Sequence, residues 1–227
     1  MRTCLPALAA GALLGLAAPA GAAPAYSIKT VGDCPPPKEV QEPIRKLLSD
    51  RCVRLLDGKG NALVEVWFRK EVPVKATEAQ VKNGLTYKEV PISTVLGVMR
   101  VAKAVYDYRK QKINAVVYTL RLNQQPMDGD HMGTAPYGEF CLACPAADDT
   151  KPDLMESKSL NELSAKTTES HPGVFLLFPG KGAGAEPKLV SKPGGHWVLL
   201  STLGVNASGK KAKLLIGLTL VGVSASA

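Results

Sequence analysis

Aromatic residues are scarce: Phe, Trp and Tyr make up 5% of the 227 residues. The core must therefore be built mainly from Val, Leu, Ile and Ala. Scattered lysines with so few aromatics also make a poor nucleic-acid binder, so no nucleic-acid partner is expected. Histidine is rarer still, limited to His131, His171 and His196. No apolar run reaches the roughly 20 residues of a membrane-spanning helix. There is no G-x-S-x-G elbow, and Gly180-Lys181-Gly182 with Gly184 lacks the spacing and following helix of a phosphate-binding loop. With no complete catalytic set in view, a non-enzymatic role is the first expectation.

What is present begins with a processing signal. Arg2 supplies a positive start, Leu5 to Ala18 a short apolar stretch, and Ala20-Gly21-Ala22 a small-x-small cleavage site. Residues 1–22 thus read as a signal peptide, with export to the periplasm or the extracellular space after cleavage near Ala22. Residues 23–37 form a Pro-containing lead-in, and 38–227 a single domain. A formal charge of +8 for the whole chain is carried by dispersed lysines, Lys181, Lys188, Lys192, Lys210, Lys211 and Lys213 among them. The plain reading is a solvated cationic face; the sharper one is attraction to an anionic wall polymer or membrane surface.

Cleavage would leave four cysteines: Cys34, Cys52, Cys141 and Cys144. Four thiols in an oxidising compartment allow three pairings. Cys34 with Cys52 is the favoured bridge, closing a loop of about 19 residues and stabilising by roughly 3 kcal/mol in the chain-entropy model. Cys141-Leu142-Ala143-Cys144 is a C-x-x-C. Pro145 stands where haem attachment requires His, and no helix follows to lower a thiol pKa. In a strand, positions i and i+3 lie about 10 Å apart, beyond disulfide reach, so two small buried apolar side chains are expected there.

The periodicity is mostly that of strands. Val40, Ile44, Leu47 and Leu48 follow helical spacing, with Pro43 at a first turn, which predicts one short helix to about Asp50. After it the period changes to two. Cys52–Leu56 and Ala62–Arg69 flank Asp57-Gly58-Lys59-Gly60-Asn61, a hairpin signal. Further strands are predicted over 26–31, 95–101, 115–122, 139–145, 174–178, 196–201 and 214–223. Lys75 to Tyr87 reads as a polar connection. Residues 146–172 form a long polar loop with a possible short helix over Leu160–Lys166. Eight or nine short strands without a βαβ rhythm predict a mainly β fold: an antiparallel β-sandwich with one short N-terminal helix.

The pieces VEVWFRKEVP, VLGVMRVAK, YDYRKQKINAVVYTLRL, QPMDGDHMGTAPYGEF and GGHWVLLS resemble an uncharacterised family of secreted bacterial proteins of the planctomycete type. The turn running into Tyr118-Thr119-Leu120 is also similar to the G-x-Y-x-L strand of many extracellular sandwich modules, though Ala115-Val116-Val117 replaces the usual Pro-Gly turn. These resemblances imply a β fold and export, and carry no activity.

The densest chemistry lies in Asp128-Gly129-Asp130-His131-Met132-Gly133 and Glu139. Against the calcium-loop pattern D-x-[DN]-x-[DN]-G-x5-E, it matches at Asp128, Asp130, Gly133 and Glu139 and fails at Met132, where an oxygen ligand belongs. Strands replace the flanking helices of an EF-hand, and Asp and Gly equally suit a plain turn. The candidate metal residues are therefore Asp128, Asp130, His131 and Glu139, with Ca2+ the possible cofactor. His196 beside Trp197 fits a structural role, and His171-Pro172 a loop. The leading expectation is an extracytoplasmic module that binds a cell-envelope glycan or protein or serves a structural role. The alternatives are a metal-binding module on the 128–139 loop, or an enzyme assembled from Asp128, Asp130, His131 and His196.

Overall fold

The computed structural model describes residues 25–126, 134–168, 170–207 and 209–225. Residues 1–22, read from the sequence as a signal peptide, lie outside them, as do Asp128, Asp130 and His131. The chain is mainly β. Strand β1 (Tyr26–Val31) is followed by a four-residue helix, α1 (Glu42–Arg45), then β2 (Cys52–Asp57), β3 (Ala62–Phe68), β4 (Glu71–Pro73) and helix α2 (Glu78–Asn83). Next come β5 (Val95–Val101), the two-residue strands β6 (Val105–Tyr106) and β7 (Lys112–Ile113), β8 (Val117–Gln124) and β9 (Glu139–Pro145). Helix α3 (Ser157–Ala165) leads to β10 (Gly173–Pro179), β11 (Lys188–Lys192), β12 (His196–Ala207) and β13 (Lys210–Val221). No described helix is long and apolar enough to cross a membrane.

The predicted strands and the N-terminal helix are found, but they do not divide into the two sheets of a sandwich. One hydrogen-bonded path runs β1-β2-β3-β5-β8-β9-β10-β13-β12-β11, with β4 joined in parallel to β12. The joint is β10. Its first half, Gly173 to Leu176, pairs with β9, and its second half, Leu177 to Pro179, pairs with β13. A strand shared in this way welds what would be two sheets into one. The sheet then curls until its ends approach, and Tyr26 of β1 meets the Trp197 ring edge-on at 5.4 Å.

Inside the curl, alternate residues of almost every strand form one aliphatic core. It includes Leu55, Val66, Met99, Leu120, Cys141, Leu177, Leu199 and Leu218. The turn residues are set by local chemistry. Asp57 accepts from Lys59 N and Asn61 N, both at 2.9 Å, and Gly60 takes φ 83°, so the β2–β3 hairpin closes as its sequence implies. Tyr87 is a cross-strand bolt: its buried hydroxyl donates to Phe178 O at 2.7 Å and accepts from Gly217 N at 2.8 Å.

The outer face of the sheet is covered in three places. Residues 34–50, with Val40, Ile44 and Leu48, pack over Trp67, Val95, Val98 and Val117. Helix α3 lays Leu160 over Leu142 and Cys144. Tyr108 packs with Phe140, Leu176 and Phe178 of β9 and β10 and Val198 and Leu200 of β12 in a third cluster. Residues 75–87 hold a helix where a plain connection was expected. Thr77 and Gln80 cap α2 reciprocally, a signature that polar composition alone conceals.

Candidate functional site

Strand β8 shows how the site is positioned. Tyr118, Leu120 and Leu122 face the interior, so Val117, Thr119, Arg121 and Asn123 face outwards. That outer face is polar yet buried, because residues 146–156 fold back across it. Arg121 is wholly enclosed and uses all five of its N–H groups. Nε and Nη2 donate to the two oxygens of Asp149 at 2.7 Å each, Nη1 donates to Ser93 O and Asp153 O, and Nη2 also donates to Lys151 O. The Thr119 hydroxyl gives Asp149 a third donor. At 0% and 1% side-chain exposure this pair meets neither solvent nor substrate, so it is an anchor for the returning chain.

Beyond the anchor, α3 is seated by Leu160 and by two hydroxyls. Ser164 and Thr167 both donate to Ala143 O at 2.7 Å. On the opposite side, the β6–β7 turn is pinned by the buried Asp107. It accepts from the backbone N–H groups of Arg109, Gln111 and Val174 and from the Gln111 amide, at 2.8–2.9 Å. Burial pushes the Asp107 carboxyl above its ordinary pKa, against the pull of those four donors.

Between α3 and this turn lies a cleft of about 760 Å³. Phe140, Leu142 and Val174 form an apolar floor. Asn123, Gln125 and Asn161 bring amide groups, Thr134 and Ser157 hydroxyls, and Arg109 and His171 stand at the rim. Two bonds order this lining: Asn123 Nδ2 to Asn161 Oδ1 at 3.3 Å, and Gln125 Nε2 to Thr134 Oγ1 at 2.7 Å. Pro126 and Thr134, which flank residues 127–133, both line the cleft. Its chemistry is amphiphilic: hydroxyl and amide groups that both donate and accept, over a nonpolar base.

Of the sequence-derived candidates, Glu139 opens β9 half-buried, while Asp128, Asp130 and His131 lie outside the described residues. Among the described residues no group of three or more His, Cys, Asp or Glu residues is placed to hold a metal ion. His171 is exposed in the cleft wall. His196 sits buried at the start of β12, its Nδ1 2.8 Å from Pro193 O and its ring stacked on Tyr108 at 5.8 Å. Its Nε2 has no hydrogen-bond partner among the described residues. Cys141 belongs to the interior core and Cys144 to the layer under α3, on opposite faces of β9. Burial drives the Cys141 thiol far above its usual pKa and pushes Cys144 up to about 12, so neither offers a reactive thiolate. Sequence reasoning missed the amides of the cleft, which carry no motif. Arg121 within an apolar strand was the one available sign that something charged must pack over β8.

No protein-family model, no curated protein and no solved structure matches the chain with significance.

Proposed function

We propose that the protein is an extracytoplasmic binding module whose cleft takes a saccharide of the cell envelope, without chemical conversion. The observation that carries this reading is the lining itself. Asn123, Gln125 and Asn161 stand over Phe140 and Leu142 in one concave site. Amides suit sugar hydroxyls because both partners donate and accept, and an apolar floor suits the C–H face of a pyranose ring. Arg109 at the rim adds a donor for a carboxylate such as those of peptidoglycan. The signal peptide expected from the sequence over residues 1–22 supports this reading, since export would bring the protein to such polymers.

Titration calorimetry of the full chain with soluble peptidoglycan glycan fragments tests the proposal. Asn123→Ala with Asn161→Ala removes two hydrogen-bonding groups worth about 1 kcal/mol each, or roughly a thirtyfold loss of affinity. Absence of binding, or binding untouched by the double substitution while the variant stays folded, refutes it.

A further inference from the structure

We propose that Cys34 and Cys52 are joined by a disulfide that clasps residues 34–50 to the outer face of the sheet, while Cys141 and Cys144 remain thiols. The two sulfur atoms lie 2.6 Å apart. Non-bonded carbon atoms already sit roughly 3.5–4.0 Å apart at their optimum, and sulfur is larger, so this spacing brings the pair inside non-bonded contact. The backbone supports the same closure independently. Cys34 N donates to Asp50 O at 2.6 Å, and Cys52 pairs with Val31 at the end of β1, so the neck of the loop is already drawn shut. Trp67 Nε1 donates to Cys34 O at 2.7 Å, which fixes Cys34 over β3.

The other pairings fail on placement. Cys141 and Cys144 project from opposite faces of β9, and neither shares a cluster with Cys34 and Cys52. The loop closed by the bridge carries Val40, Ile44 and Leu48, each at most 2% exposed, onto Trp67, Val95 and Val98. The clasp therefore holds a cover over part of the sheet that would otherwise face water.

The oxidant is the disulfide of an envelope thiol oxidase, or oxidised glutathione in vitro. One cysteine thiolate attacks the donor disulfide and forms a mixed disulfide. The second displaces the donor sulfur, so the two cysteines lose two electrons and two protons, and the donor leaves as two thiols. In the folded chain both cysteines are buried, and burial pushes the Cys52 thiol up to about 12. Exchange must then occur before the loop is seated, and the finished bridge is shielded from reductants.

The test uses the full chain exported to the oxidising envelope of a bacterial host. It is unfolded in guanidinium with iodoacetamide and no reductant, then digested with trypsin. The expected product joins residues 30–38 to residues 52–54, with Cys141 and Cys144 alkylated. Alkylated Cys34 and Cys52, or a link from either to another cysteine, overturns the proposal. In a second arm, the chain refolded with oxidised and reduced glutathione is treated with a phosphine reductant. The bridge should survive at least tenfold longer without denaturant than with it; equal rates overturn the shielded clasp.

Discussion

Replacing Asp149 with Ala removes the counter-ion of a guanidinium that has no access to water. Asp149 supplies two bonds of 2.7 Å to Arg121 and accepts from Thr119, at 1% exposure. Removing one partner of such a pair costs about 3–5 kcal/mol, because the other charge stays buried without compensation. That is a large share of the roughly 5–15 kcal/mol by which domains are stable. Replacing both partners is usually mild, but here it should not be. Arg121 also satisfies Ser93 O, Asp153 O and Lys151 O, and each carbonyl left bare costs about 1–3 kcal/mol. The Arg121→Met, Asp149→Leu double variant should therefore stay well below wild type. Urea denaturation followed by circular dichroism measures all three chains. A cost below about 1 kcal/mol for Asp149→Ala, or a double variant as stable as wild type, would refute the anchor as described.

Tyr87→Phe strips the hydroxyl that joins Phe178 O to Gly217 N and leaves two buried backbone groups without it. A loss of about 2 kcal/mol is expected in the same denaturation assay, and no loss would show that the bolt is dispensable. Asp57 gives a pH signature. The Asn61 side-chain amide, with the Asn61 and Lys59 backbone N–H groups, holds its carboxyl below the ordinary 3.8. Its contribution is thus present above the unfolded value and lost as pH falls through the lower folded one. The melting-temperature advantage of wild type over Asp57→Ala should shrink as pH falls from about 5 towards 2, and a constant gap contradicts the assignment.

Much of the architecture is legible in the chain because strand alternation is a local property. Val116 to Leu122 alternates, and Tyr118, Leu120 and Leu122 do enter the core, while Val116, ahead of the strand, stays exposed. The Asp57-to-Asn61 turn closes the hairpin its residues specify. The sheet's continuity is not local. It depends on β10 pairing with β9 through one half and β13 through the other, and no pattern in Gly173–Pro179 announces the change. The long polar stretch after Pro145 does hold a short helix, Ser157–Ala165, near where one was expected, but its composition conceals the anchor for a related reason. Its Asp149 is polar in composition but buried in fact, because its partner Arg121 lies 28 residues away in a strand. The cleft was hidden because Asn123 and Asn161 come from a strand and a helix far apart in sequence, and amides form no spacing motif. The acidic loop at 128–133 draws attention through its density of ligand types, and Asp128, Asp130 and His131 lie outside the described residues.

The central claim is that the amide-lined cleft binds an envelope saccharide. Its most direct test is amide-detected NMR of isotope-labelled protein titrated with peptidoglycan glycan fragments. The account expects the side-chain amide signals of Asn123, Gln125 and Asn161 to shift together in a saturable way. Backbone signals at the far end of the β12–β13 hairpin, Asn206, Ala207, Lys210 and Lys211, about ten residues along the strand from His196, should stay still. Saturable shifts confined to that hairpin or to the lysine-bearing surface, with the three amides unmoved, would contradict it.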